Sequence, residues 1–141
     1  MKTCGLWPGQ RYLVAVVADD GRLTEPARKV SYTDEARCAL VHYIESHHGR
    51  GCAFVATTSL ARTDPIVRHA AMRGVHIWMA PDPLIDDLRV LAGKANASTA
   101  QLALLLARLP LCVLLRPQLR LMRLQLPLFA ATGTAADSPS L

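Results

Sequence analysis

Apolar positions in the first third of the chain predict two adjacent strands. Residues Arg11 to Ala18 (RYLVAVVA) form a continuous run rich in β-branched side chains, and the turn Asp19-Asp20-Gly21 follows. A short apolar run that ends at a turn is typical of a buried strand. The next segment, Arg22 to Tyr32, is more polar and contains Pro26, which suits an edge strand entered from a hairpin.

Farther along the chain, segments whose apolar residues have helical spacing alternate with short apolar runs typical of strands. Thr33 and Asp34 are suited to cap a helix, and Pro65 suits the first turn of another helix with Asp64 as its cap. The predicted elements, in chain order, are a helix from Glu35 to His47, a strand from Cys52 to Thr57, a polar loop from Thr58 to Asp64, a helix from Pro65 to Arg73, a strand from Val75 to Ala80, a helix from Leu84 to Leu91 and a helix from Ala100 to Leu109.

This order of elements predicts an α/β fold in which a mixed sheet carries helices on its faces. A doubly wound parallel sheet is the main competitor, but it would need more strands in a chain of 141 residues. We expect an irregular N-terminus over residues 1–10, one α/β domain over residues 11–109, a Leu/Arg-rich helical or irregular extension over residues 110–129 and a disordered tail over residues 130–141.

Composition adds a basic balance to this picture. The formal net charge is +5, and Arg carries most of the positive charge. Arg pairs well with phosphate, so DNA or structured RNA is a candidate partner; a genome composition that favours Arg over Lys is the alternative explanation. The candidate nucleic-acid-binding residues are Arg11, Arg22, Arg28, Lys29, Arg62, Arg68, Arg73 and Lys94.

Cysteine usage and hydropathy favour a cytoplasmic protein. Cys4, Cys38, Cys52 and Cys112 are widely spaced without a CxxC pair, which predicts buried free thiols rather than disulfides or a zinc site. No signal peptide is visible. The apolar run from Leu102 to Leu115 is interrupted and too short for a bilayer, so we expect no membrane association.

Acidic, histidine and aromatic residues each have a structural explanation. Asp19, Asp20, Asp64 and Asp82 fit turns and helix caps, although a rebuilt metal site would need them to converge. His47 and His48, with His42 before them, lack ligands at a recognised spacing and are expected to be solvated or capping. Core packing is the simpler explanation for the aromatic side chains, which are Tyr12, Tyr32, Tyr43, Phe54 and Trp78.

Three short segments stand in an order that one family shares. They are Val55-Ala56-Thr57-Thr58 after a strand, Ala80-Pro81 after the next strand, and Lys94 to Ala100 (KANASTA) before an apolar helix. The chain resembles the RuvC-like N-terminal domain of DEDD-type insertion-sequence transposases, relatives of the Piv DNA invertases. Those proteins have Glu-Ala-Thr-Gly, Asn-Pro and Lys-Thr-Asp-x-x-Asp-Ala at the three places.

The resemblance implies an RNase H/RuvC-like fold that has lost its catalytic acids. The family's Glu falls on Val55 and its paired Asp residues on Asn96 and Thr99, while no acid precedes Arg11. Without these carboxylates a divalent metal is not concentrated, so we expect no catalytic residue and no cofactor. Mg²⁺ would be expected only if an acidic site survived.

Three functional hypotheses follow. The leading one is a catalytically inactive, transposase-like remnant or domesticated fragment that keeps nucleic-acid binding in DNA transposition or recombination. The alternative is a protein-interaction or regulatory module, in which the Leu-rich stretch Leu102 to Leu128 docks on a partner or forms a homo-oligomer. The third is an active metal nuclease built from Asp19, Asp20, Asp64 and Asp82.

Overall fold

The computed structural model describes residues 1–91, 97–115 and 122–123. Its strands are β1 (Lys2–Pro8), β2 (Tyr12–Asp19), β3 (Arg22–Leu23), β4 (Arg28–Ser31), β5 (Ala53–Thr57), β6 (Ile77–Ala80) and β7 (Met122–Arg123). Its helices are α1 (Asp34–His48), α2 (Thr58–Thr63), α3 (Pro65–Met72), α4 (Asp82–Leu91) and α5 (Thr99–Leu115).

The strands form one mixed sheet, as the sequence predicts. The order is β3-β2-β1-β5-β6-β7, and β4 also pairs with β2. Strands β1, β5 and β6 run parallel to one another, whereas β2 is antiparallel to its neighbours and β7 to β6. We call the end of the sheet at Pro8, Thr57 and Ala80 the carboxyl edge, and the end at Lys2 and Ala53 the amino edge.

Helices cover both faces of the sheet. On one face α1, α2 and α3 bury a mostly aliphatic core that contains Leu6, Leu13 and Phe54. On the other face α4 and α5 cover Val55 and Ala80 with Ile85, Leu106 and Leu109, and α5 also covers Val14 and Val16. The prediction of a mixed sheet with helices on both faces is therefore confirmed.

Helix α5 crosses β1 at very short range. A Cβ atom on Gly5 would lie 1.9 Å from the backbone oxygen of Ala103, so only a glycine allows this approach. Beside it, the Thr3 hydroxyl donates a hydrogen bond of 2.5 Å to the backbone oxygen of Ala107. Leu102 and Leu106 are also buried. This part of the Leu-rich stretch is therefore core, and it is not the exposed docking surface that the alternative hypothesis expects.

The structure corrects three element predictions. The N-terminus is not irregular, because Lys2–Pro8 forms the central strand β1. The expected polar loop after β5 contains helix α2, whose N-cap Thr57 accepts a hydrogen bond from the backbone N–H of Leu60. Helix α5 does not end at Leu109 but continues through Pro110 to Leu115.

Other expectations fall partly or wholly outside the described residues. These are Lys94, Asn96, much of the 110–129 extension and the 130–141 tail. Cys4 and Cys52 are buried free thiols as expected, but Cys38 is exposed on α1. None of the helices in the described part of the chain is long and apolar enough to span a membrane.

Candidate functional site at the carboxyl edge

Two side chains from neighbouring parallel strands meet at the carboxyl edge. Gly5 of β1 pairs with Val55 of β5, so the same register brings Trp7 beside Thr57. Side chains alternate along a strand, and both residues therefore face the side of the sheet that α4 and α5 cover. Trp7 is half-buried there and packs against both hydrophobic clusters on this face.

A cavity of about 230 Å³ opens beside this pair. Its walls come from the ends of β1 and β5, the start of α2 and one side of α4; they are Trp7, Pro8, Thr57, Ser59, Asp82, Ile85, Asp86 and Arg89. Trp7, Pro8 and Ile85 make the apolar part of the wall. The polar part contains two hydroxyls, two carboxylates and one guanidinium.

Short-range polar contacts hold the cavity wall in place. The Ser59 hydroxyl donates a hydrogen bond to Oδ2 of Asp82, joining α2 to α4. Within α4, Nη1 of Arg89 lies 3.8 Å from Oδ1 of Asp86. Asp82 stands in the first turn of α4, where the helix dipole favours a carboxylate. Two acids and one base give the cavity a net charge of about −1 at neutral pH.

The cavity does not fit a catalytic divalent metal. Two-metal phosphodiester cleavage needs several carboxylates directed at one point, usually from strand ends. Here the end of β1 presents an indole and the end of β5 a hydroxyl. No group of three or more His, Cys, Asp or Glu side chains that could hold a metal occurs among the described residues.

The acids proposed for a rebuilt nuclease site do not converge, so that hypothesis is wrong. Asp19 and Asp20 lie at the amino edge, where the N-terminal ammonium group of Met1 is 2.5 Å from Oδ1 of Asp20. Asp64 caps α3 and is paired with Arg37. Of the four carboxylates, Asp82 is the one in the cavity.

The three positions inferred from the family resemblance have different surroundings. Val55 is fully buried in the core beneath α4 and α5. The residue of β5 that reaches the cavity on the same face is Thr57. Thr99 is exposed at the start of α5, and a Cβ atom on Gly9 would lie 3.7 Å from its Cγ2. Asn96 lies outside the described residues.

The candidate basic residues are divided between the two edges and the outer helices. Arg11, Lys29 and Arg62 lie exposed near the carboxyl edge, in the β1–β2 turn, on β4 and on α2. We call these three the edge cations. Arg22 lies at the amino edge, because it pairs with Asp19.

The remaining candidates are placed differently. Arg28 pairs with Glu25 at 2.9 Å and lies over the ring of Tyr43, and Arg73 pairs with Glu45 at 2.6 Å. Arg68 is exposed on α3. Lys94 is outside the described residues.

Two tyrosines depart from the expectation of core packing. Tyr12 is 42% exposed, and the Lys29 ammonium lies 5.8 Å from its ring centroid. Tyr32 is 37% exposed and donates a hydrogen bond of 2.7 Å to the backbone oxygen of Gly9. Both therefore place aromatic surface close to the carboxyl edge, next to the edge cations. Phe54 is in the core, as predicted.

The histidines at the end of α1 make contacts with other side chains of the protein. His48 Nε2 lies 2.7 Å from Oε1 of Glu25, and His47 stacks on Tyr43. The Tyr43 hydroxyl donates to the same Glu25 carboxylate. These contacts hold the loop before β4 against the end of α1.

Three polar or aromatic residues of the cavity are not among the candidates from the sequence: Trp7, Ser59 and Arg89. Asp86, with its neighbour Asp87, is explained from the sequence as a first-turn helix residue that the dipole favours, but the structure places it in the second turn of α4, which begins at Asp82. The position of Trp7 could not be predicted, because its strand contains a glycine and a proline and has no run of β-branched residues. The i,i+3 spacing of Asp86 and Arg89 on a predicted helix was a visible signal, but such pairs are common on solvated helix faces.

The arrangement of strands and helices is an RNase H/RuvC-like fold. The solved structure of T. thermophilus RuvC in complex with a Holliday junction substrate is similar to this chain, with a TM-score of 0.58 and 14% sequence identity. The similarity covers 86% of this chain and 99% of that chain. The sequence matches no protein-family model and no curated protein sequence.

Proposed function

We propose that this protein binds nucleic acid at the carboxyl edge of its RuvC-like fold and does not cleave it. The observation that carries the proposal is the pair Trp7 and Thr57. These residues end the two central parallel strands, where metal-dependent cleavage would need carboxylates. The similar RuvC structure holds a Holliday junction substrate, which supports a nucleic acid as the ligand of this fold.

The distribution of charge supports the same edge as the binding surface. The edge cations Arg11, Lys29 and Arg62 are exposed, and exposed Arg and Lys side chains bind phosphates by displacing counterions. Tyr12 adds a ring on which a base can stack. In this proposal the protein is a transposase-like remnant or domesticated fragment, which the order of its three short motifs supports.

Fluorescence anisotropy with labelled duplex, single-stranded and four-way-junction DNA tests the binding. We expect binding at low salt and a steep loss of affinity as salt rises. The double variant Arg11→Ala/Arg62→Ala should reduce the slope of log K against log [salt] by about 1 to 2, since two phosphate contacts are removed.

The matched control changes two arginines at the opposite end of the molecule. Arg22 is exposed at the amino edge opposite Asp19, roughly 23 Å from Tyr12 along β2. Arg50 is exposed three residues before β5 begins at the same edge. Arg22→Ala/Arg50→Ala removes the same charge and should leave the salt slope nearly unchanged. Equal slopes for the two double variants would contradict binding at the carboxyl edge, and no binding at low salt would contradict binding altogether.

A nuclease assay tests the absence of cleavage. Labelled duplex and junction DNA are incubated with the protein and Mg²⁺ or Mn²⁺, and the products are separated on a denaturing gel. We expect no cleavage above background. If the native protein cleaved DNA and the Asp82→Asn variant did not, the activity would belong to the cavity. That result would refute the proposal that the protein does not cleave nucleic acid.

A further inference from the structure

The size of the cavity beside Trp7 restricts its occupant. Its volume is about 230 Å³. A protein cavity of roughly 150 Å³ accommodates benzene, whereas pockets for drug-sized ligands begin at roughly 300 Å³. One aromatic ring system therefore fits inside the cavity, and the sugar and phosphate of a nucleotide would lie outside it.

The charge of the cavity disfavours a phosphate as the group that enters. Asp82 and Asp86 line it together with one cation, Arg89. Asp86 is 73% exposed and Arg89 is 27% exposed on their side chains, so a ligand can approach both. An anion would meet the net negative charge of the two carboxylates, whereas a neutral group that donates hydrogen bonds would be attracted.

The apolar wall suits the flat face of a ring. Trp7 lines the cavity and is half-buried against two hydrophobic clusters, which restrain its indole. Ile85, which also lines the cavity, is fully buried. Stacking of a base on an aromatic side chain contributes substantially to the binding of single strands.

The polar wall suits the edge of a nucleobase. Carboxylates accept hydrogen bonds from exocyclic amino groups, as Asp does from N4 of cytosine. Arg89 supplies donors for the ring nitrogens and carbonyl oxygens of a base. The hydroxyls of Thr57 and Ser59 complete the wall.

We infer that this cavity binds one unpaired nucleobase with an exocyclic amino group, stacked on Trp7 and bonded through Asp86 and Arg89. The inference rests on the proposed nucleic-acid binding and deepens it: the edge cations hold the backbone while the cavity takes one base from the strand. Arg62 stands one helical turn from Ser59 on α2, and Arg11 lies in the turn after Pro8. These positions place one cation near each of two elements that line the cavity, β1 and α2.

Tryptophan fluorescence tests the inference directly. The chain contains two tryptophans, so the variant Trp78→Phe leaves Trp7 as the sole reporter. We expect cytidine and adenosine to quench its emission saturably, and thymidine, which has no exocyclic amino group, to do so about fivefold more weakly. Saturable quenching by inorganic phosphate without quenching by cytidine would overturn the inference.

An oligonucleotide comparison tests the same cavity without relying on fluorescence. A short strand of abasic sites with one central cytidine should bind roughly tenfold more tightly than the same strand with every site abasic, given the usual contribution of one stacked base. The variant Trp7→Leu should abolish this difference. Trp78→Leu is its matched control, since Trp78 packs in the same cluster as Trp7 but does not line the cavity.

The outcomes separate the inference from the proposed function. Strands that bind at low salt with no preference over the abasic site, and no quenching by cytidine, would overturn the base cavity and leave the nucleic-acid binding intact. Quenching by cytidine in a protein that binds no strand would overturn the proposed function and support base recognition by the cavity. Circular dichroism of each variant verifies that it is folded.

Discussion

At the scale of single residues, Arg37 joins two helices on the face opposite the cavity. Its Nε lies 2.9 Å from Oδ1 of Asp64 and its Nη2 lies 3.2 Å from Oδ2, which is a bidentate pair between α1 and α3. The side chains are 11% and 7% exposed. The cap formed by Asp64 on α3 was predicted from the sequence and is confirmed, because a cap depends on adjacent residues. The ion pair with Arg37 could not be predicted in this way, because Arg37 is 27 residues earlier in the chain and no local pattern connects the two.

Loss of this pair should be costly. Removing one member of a mostly buried ion pair leaves the other charge without compensation, so Arg37→Ala should lower the free energy of unfolding by about 3 kcal/mol. Urea denaturation measures the change. The control Asp34→Asn removes the other carboxylate that Arg37 contacts, which is 77% exposed, and should cost less than about 1 kcal/mol. Equal costs would mean that the pair with Asp64 is unimportant.

Glu25 predicts a dependence of stability on pH. Partial burial alone would raise the pKa of its carboxyl, but hydrogen bonds from Arg28, Tyr43 and His48 outweigh burial and lower the pKa below the ordinary 4.5. A lowered folded-state pKa gives stability that is present above pH 4.5 and is lost as pH falls through the lowered value.

The free energy of unfolding of the variant Glu25→Gln should therefore fall less steeply as the pH is lowered. Free energies of unfolding between pH 6 and pH 3 are compared for the native protein, Glu25→Gln and the control Glu35→Gln, whose side chain is exposed in the first turn of α1. The native protein and the control should lose stability in parallel. If Glu25→Gln lost stability with falling pH as steeply as the native protein, the role assigned to these hydrogen bonds would be contradicted.

At the scale of the elements, the strands and helices with a clear period could be predicted and the others could not. Strand β2 and helices α1 and α3 follow from apolar runs, caps and the position of Pro65. Strand β1 was missed because Gly5 and Pro8 weaken a strand pattern, and its stability comes from pairing on both sides. Helix α2 has six residues, which is too short for a hydrophobic period to emerge.

The crossing of β1 and α5 leaves no room for a side chain at Gly5. A Cβ atom there would lie 1.9 Å from the oxygen of Ala103 and 2.8 Å from the nitrogen of Ala107, both of which are backbone atoms. Gly5→Ala should therefore destabilise the fold by about 3 kcal/mol or more. A thermal melt measures the loss. Gly51→Ala is the control, since a Cβ atom there has no neighbour within 4 Å, and a similar loss in both variants would contradict this explanation.

At the scale of the whole molecule, the fold was predictable but the cavity was not. The alternation of elements restricts the topology to a mixed sheet, and it tolerates errors of several residues at each boundary. The cavity requires residues from four elements, between Trp7 and Arg89, and an exact register between β1 and β5. Pairing between strands about fifty residues apart is fixed by packing across the whole sheet, and no local pattern encodes it.

The late position of α5 also affects how the chain is made. The ribosome delivers β1, β2 and β5 before it reaches Thr99, and the residues between Thr57 and Thr99 take roughly 2 to 8 seconds to translate. Val14 and Val16, which α5 covers in the finished protein, have no partner helix during that interval. The nascent sheet therefore exposes an apolar face. Chaperones that bind such surfaces should associate with the polysome-bound chain until α5 emerges.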